Sequence, residues 1–311
     1  MAPDGTAIPV IDISSAASLD AASEQIDAAC RGIGFFAVTG HGVEPELLDG
    51  VLAAARQFFA QTLPSKRELA IERSGHHRGF AGVEGELLQP GLRADFKETM
   101  DFGPECSLDD PLRSPLEGPN QWPAVLGFRE SVEGYQEAVL DAAKRLLRLM
   151  AQALELEPSF FDERFVRPLV GTRLIRYSTV DEPLPDQLGC GAHSDYGCVT
   201  FLHTDGTPGL QLSDLDGRWH DVVAPAGSFI VNLGDMLARW TNDRYRATVH
   251  RVQSPRTADR FSVPTFVNPS YDTVVECLPG CLGEGEQPKY PPTTSGAYLQ
   301  SRFDETFAYR Q

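Results

Sequence analysis

The chain has 311 residues, 41% hydrophobic and 23% charged, enough to bury one large core or two closely joined ones. Asp and Glu number 44 against 27 Lys and Arg, and the formal net charge of −17 argues against nucleic acid or anionic membranes as partners, since binding either requires cations that displace counterions. No window approaches the ~20 apolar residues of a membrane-crossing helix, the start shows no basic and apolar leader, and the six cysteines form no CxxC pair, so a cytoplasmic protein with free thiols is expected.

In chain order, IPVID near the start reads as a short edge strand with Pro9 at its beginning. Ala17 to Gly32 carries apolar residues at helical spacing and stops at a glycine, and the following GFFAVTG reads as a buried strand. Pro45 to Thr62 is a second amphipathic helix, halted at Pro64. Leu87 to Pro119 is irregular apart from the strand-like FKETMDFG, and loops this long are usually functional, here to cover a substrate. Gly127 to Leu156 keeps one apolar stripe and is the longest helix.

From Leu169 the pattern changes to short β-rich runs: LVGTRLIRYST, CVTFLH, GLQLSD, RWHDVVA, GSFIVNLGD, RATVHRV, RFSVPTFVN and TVVEC. These predict a mainly β protein with flanking helices, its core a double-stranded β-helix, the cupin-like jelly roll. The organisation expected is an amino-terminal mixed α/β region with covering loops over 1–168, a jelly-roll core over 169–293 and a carboxy-terminal helix over 294–311 packed on the outside. The three are best treated as one globular unit.

The chemistry concentrates between Gly191 and Ser262. His193 and Asp195 lie two positions apart on a strand or strand end, where side chains i and i+2 share a side. His250 closes a second strand-like run, RATVHRV. Two neutral imidazoles and one carboxylate neutralise only part of the charge of Fe(II) and leave positions open for O2 and an anionic organic ligand. Arg260 and Ser262 follow on RFSVPTF, and the intervening QSPRTAD suits a hairpin that would return them to the metal end. A guanidinium fork beside a hydroxyl is a receptor for a carboxylate.

HSDYG, VNLGDML, RWTND, the HRV at His250 and RFS resemble the iron- and 2-oxoglutarate-dependent dioxygenases of the isopenicillin N synthase-like family. IPVIDIS, GFFAVTGHGV, RGFAGVEGE and FKETMDFG are similar to its amino-terminal part, so nearly the whole chain is covered. The resemblance implies Fe(II) on His193, Asp195 and His250, and 2-oxoglutarate held by Arg260 and Ser262. Tyr177 resembles the family tyrosine at the far carboxylate, although Ile175 stands where many members carry asparagine. His41 sits in the family's GHG turn and is expected to be structural, as is His203.

The activity implied is decarboxylation of 2-oxoglutarate to succinate and CO2, coupled through O2 to hydroxylation or desaturation of a small organic substrate, as in secondary metabolism. Two other readings use the same residues. One is an isopenicillin N synthase-like oxidase or cyclase that needs no 2-oxoglutarate, and the other is a non-catalytic metal-binding barrel. For an acidic group on the substrate the candidates are Arg78, Lys97 and Arg176.

Overall fold

The computed structural model describes the chain apart from residues 1–5, 15–18, 84, 90, 92, 180–183, 185, 284 and 307–311. The first strands are β1 (Thr6–Ala7), β2 (Val10–Asp12) and β3 (Phe35–Thr39), with helix α1 (Leu19–Arg31) between the last two. Helices α2 (Pro45–Phe59) and α3 (Leu63–Arg67) precede strands β4 (Gly79–Ala81) and β5 (Glu98–Phe102), and α4 (Phe128–Ala153) leads into β6 (Pro168–Tyr177). Strands β7 (Cys190–His193), β8 (Val199–Thr204), β9 (Leu210–Ser213), β10 (Trp219–Val223) and β11 (Phe229–Leu233) follow. The chain ends through α5 (Asp235–Trp240), β12 (His250–Val252), β13 (Arg260–Ser270), β14 (Val274–Val275), β15 (Thr293–Thr294) and α6 (Ser295–Thr306).

Two sheets form the jelly roll. The larger has the order β2-β3-β11-β8-β13-β6-β5-β4 and the smaller β1-β10-β9-β12-β7. Strands before and after position 168 pair directly in the larger sheet, β3 on β11 and β5 on β6. Helices α2 and α4 pack on this sheet, because each shows it one apolar face: Leu48, Val51, Leu52, Ala55 and Phe58 on α2, and Phe128, Val132, Tyr135, Val139 and Leu146 on α4. A second apolar cluster, including Phe35, Ile175, Leu210, Leu212 and Val252, fills the space between the sheets. Gly34 makes the turn into β3 at φ +66, where a Cβ would meet the Arg246 carbonyl at 2.4 Å. Among the described residues no helix is long and apolar enough to cross a membrane.

Some expectations need correction. QSPRTAD does not close a hairpin: β12 pairs with β7 and β9, whereas β13 pairs with β6 and β8, so the chain crosses from one sheet to the other. His250 opens its strand rather than closing it. TVVEC contributes only β14, which pairs with β15 outside the two sheets. The start of the helix expected from Ala17 and the end of the tail lie outside the described residues. The described part of the tail is helical, and it also walls a cavity through Leu299 and Phe303.

Candidate functional site

Backbone register brings the two imidazoles together. His193 ends β7, His250 begins β12, and the two are direct partners across the antiparallel pair, with ring centroids 4.3 Å apart. Each ring donates Nδ1–H to a carbonyl two residues earlier: His193 to Gly191 at 2.8 Å, and His250 to Thr248 at 3.1 Å. Those bonds fix the tautomer and leave Nε2 with a free lone pair. Both Nε2 atoms lie 3.8 Å from Oδ1 of Asp195, and one ligand atom from each of the three residues falls within 4.8 Å of the others.

Asp195 stands just past β7, and its second oxygen is fixed by the opposite sheet. Oδ2 accepts from Thr200 Oγ1 on β8 at 2.5 Å and from Asn232 Nδ2 on β11 at 2.6 Å. Burial pushes the carboxyl up, but His250, His193 and these two hydrogen bonds outweigh it and hold the group below the usual aspartate range. Burial, with His193 beside it, brings His250 down to about 4 against the pull of Asp195, so near neutral pH its ring is uncharged and able to ligate. Two neutral nitrogens and one carboxylate oxygen, converging from one side, suit a ferrous ion.

Between the sheets behind this trio lies a cavity of about 70 Å3 whose walls include Arg260, Ser262, Tyr177 and Lys97. Arg260 and Tyr177 are register partners on β13 and β6, with the guanidinium 5.0 Å from the tyrosine ring centroid. Arg260 is 1% exposed; its Nε donates to the Thr207 carbonyl at 3.1 Å, and its Nη1 meets no acceptor among the described residues. A buried cationic donor without an acceptor is costly, and a carboxylate in this cavity would satisfy it. The residues present therefore fit 2-oxoglutarate as well as iron.

In front of the trio a second cavity, about 140 Å3, is lined at its metal end by His193, Ser194 and Asp195. Apolar walls come from Leu88, Phe102, Val170, Phe266, Leu299 and Phe303, and charged ones from Arg78, Glu86, Asp101 and Arg173. His77 and Phe303 stack at its edge, centroids 4.7 Å apart and planes 12° off parallel.

Of the arginines and lysine expected to meet substrate, Arg78 lines this front cavity, donating to the carbonyls of His76, His77 and Leu116. Lys97 lies instead on the rear cavity, where its Nζ pairs with Glu86 at 2.5 Å and Asp95 at 2.8 Å. Arg176 reaches neither cavity. Strand alternation sends it to the opposite face of β6 from Ile175 and Tyr177, where it pairs with Glu98 and Asp259. His41 is structural, its ring bonded to the Gly227 carbonyl and to Val43 N–H. His203 is buried against Tyr135 and Phe229.

Sequence reasoning assigned no chemical role to Thr200, Asn232, Arg173, Glu86 or Asp101. A signal existed for two of them. Asn232 interrupts the apolar run SFIVNLG, and Arg173 has the same strand parity as Tyr177, four residues later.

Residues 8–125 match the family model described as non-haem dioxygenase in morphine synthesis N-terminal, and residues 171–269 match the 2OG-Fe(II) oxygenase superfamily. The 2-oxoglutarate-Fe(II) type oxidoreductase hxnY of Emericella nidulans is 38% identical over 333 residues, covering 100% of this chain and 94% of its own. Homoarginine-6-hydroxylase 2-ODD-C23.1 of Arabidopsis thaliana is 32% identical, covering 99% and 100%. Among solved structures, a full-length Neurospora crassa protein crystallised in complex with alpha-KG and thymine superposes with a TM-score of 0.85 at 26% identity, covering 98% of both chains.

The chain belongs to the 2OG-Fe(II) oxygenase superfamily, with its jelly-roll core. It is an oxidoreductase that uses Fe(II) and 2-oxoglutarate, which decides against the oxidase that needs no 2-oxoglutarate and against the non-catalytic barrel.

Proposed function

We propose that this enzyme hydroxylates or desaturates a small organic molecule held in the front cavity, with His193, Asp195 and His250 as the iron ligands and Arg260, Ser262 and Tyr177 as the receptor for the far carboxylate of 2-oxoglutarate. The observation that carries the assignment is the buried Nη1, without an acceptor among the described residues, of Arg260, which lines the cavity that also borders the metal trio. When bound, iron, 2-oxoglutarate and O2 together supply the oxidising power, with succinate and CO2 as products.

The chain's own part is positional. His193 and His250 present lone pairs fixed by their Nδ1 bonds, and Asp195 presents one oxygen while Thr200 and Asn232 hold the other. Arg260 orients the co-substrate from the rear, which leaves the front cavity for the molecule to be oxidised. Because Asp195 supplies a third protein ligand, the protein leaves no ligand gap for a halide, and this favours hydroxylation or desaturation. Secondary metabolism is the setting we propose. All six cysteines are free thiols, which supports the cytoplasmic reading.

The test is succinate formation by the Fe(II)-loaded protein with 2-oxoglutarate and O2, beside a mass-spectrometric screen of candidate substrates. Succinate that rises with a true substrate, matched by a product heavier by one oxygen or lighter by two hydrogens, is the expected result. No succinate from protein that carries its iron would overturn the proposal.

A further inference from the structure

We infer that Arg173 is the residue that recognises the substrate, donating to an sp2 oxygen, a carbonyl or a carboxylate, on a small molecule lying in the front cavity. The inference rests on the proposed function for where the reacting centre lies, and extends it to the chemistry of the substrate.

Arg173 lies on β6 at the same parity as Ile175 and Tyr177, so it points between the sheets, and it borders both the front and the rear cavity. Two of its nitrogens are committed. Nε donates to Asp101 Oδ1 at 2.7 Å, and Nη1 donates to Glu86 at 3.3 Å and 3.4 Å. Asp101 is its register partner on β5, and Glu86 is itself pinned by Lys97 at 2.5 Å. The fork is therefore held rigidly by two carboxylates while Nη2 has no acceptor among the described residues, and the side chain keeps 13% exposure. A fixed guanidinium with a spare N–H, on a residue that lines a cavity, is a preorganised donor.

The surroundings narrow what it would meet. Glu86 and Asp101 offset the charge of Arg173 and of Lys97, so the cavity does not demand a second full anion, and a neutral carbonyl oxygen satisfies Nη2 as well as a carboxylate does. Phe266, Val170, Leu299 and Phe303 supply apolar wall for the body of the molecule. The substrate class is a compact, largely apolar molecule with one such oxygen, which the Arg173 contact would hold so that a C–H group faces His193 and Asp195.

Three probes separate the possibilities: 2-pyridone for a neutral carbonyl, benzoate for a carboxylate and toluene for a body without oxygen. Their dissociation constants are measured by equilibrium dialysis against the anaerobic protein loaded with Fe(II) and 2-oxoglutarate, for wild type, Arg173→Gln and Arg173→Lys. A charge-assisted hydrogen bond predicts that both variants weaken an oxygen-bearing probe about tenfold or more and leave toluene within about threefold. The probe that loses more identifies the oxygen type.

Arg173→Lys keeps a cation between Glu86 and Asp101, so it decides alone should Arg173→Gln fail to fold. A purely structural role would weaken all three probes alike and overturns the inference. So does wild-type binding of 2-pyridone and benzoate no tighter than toluene, or an effect confined to 2-oxoglutarate affinity. Failure of the wild-type protein to bind iron or 2-oxoglutarate would instead count against the proposed function.

Discussion

Asn232 Nδ2 lies 2.6 Å from Oδ2 of Asp195, so one oxygen of the ligating carboxylate is held by the larger sheet while the other faces the two imidazoles. The contact orients the ligand across the gap between the sheets. Replacing Asn232 by Ala leaves Thr200 as the remaining donor to Oδ2. Loss of such a supporting bond is expected to weaken Fe(II) binding about 10- to 100-fold, measured by competition with a chelating dye. Unchanged affinity would mean that Asp195 needs no orientation from behind.

Arg260 and Ser262 should separate co-substrate binding from substrate oxidation. Arg260→Gln is expected to raise the KM for 2-oxoglutarate about 10- to 100-fold, the worth of a hydrogen bond to a charged group; Ser262→Ala should raise it less. Initial rates across a 2-oxoglutarate series at saturating substrate provide the check. A fall in kcat at unaltered KM would place Arg260 elsewhere in the reaction.

Glu86 gives a pH signature. Burial pushes its carboxyl up, but Lys97 and Arg173 outweigh burial and hold it well below the ordinary value of 4.5. Since the folded-state value lies below the unfolded one, ionised Glu86 adds stability at pH above about 4.5, and that contribution is lost as pH falls from there toward the folded-state value. The difference in unfolding free energy between wild type and Glu86→Gln is expected to be constant near neutral pH and to shrink below about pH 4.5. Urea titrations at a series of pH values measure it, and a difference that does not change with pH contradicts the assignment.

Two neighbouring positions should answer oppositely to truncation. Phe128, 1% exposed, packs with Phe58, Phe102 and Trp122 at centroid distances of 6.1, 5.8 and 6.4 Å, whereas Leu126 is fully exposed. Phe128→Ala is expected to cost about 3–5 kcal/mol of stability and Leu126→Ala no more than about 0.5 kcal/mol, both read from urea unfolding. Equal effects would mean that the aromatic cluster is not the anchor of α4.

The metal trio was legible because its residue types and strand parity are local facts, and the pairing of β7 with β12 then sets His193 opposite His250. The placing of Arg260 and Ser262 on the cavity that borders the trio was legible from the same strand parity, although by the wrong route. A turn-rich linker of the composition of QSPRTAD serves a hairpin or a crossover equally well, and only the pairing partners of β12 and β13 distinguish them.

The substrate side was harder to read, since it is assembled over long sequence distances. Glu86 meets Arg173 across 87 positions, a pairing that no local pattern encodes. Arg176 was legible as lying off the cavity side, because counting back by twos from Tyr177 reaches 175 and 173 and not 176.

The most direct measurement is anaerobic titration of 2-oxoglutarate into the Fe(II)-loaded protein, followed by visible absorption. A weak charge-transfer band that saturates with 2-oxoglutarate in wild type and is lost in His250→Ala is the expected result. No band from wild-type protein that carries its iron, or an undiminished band in His250→Ala, would contradict iron and 2-oxoglutarate meeting at these residues.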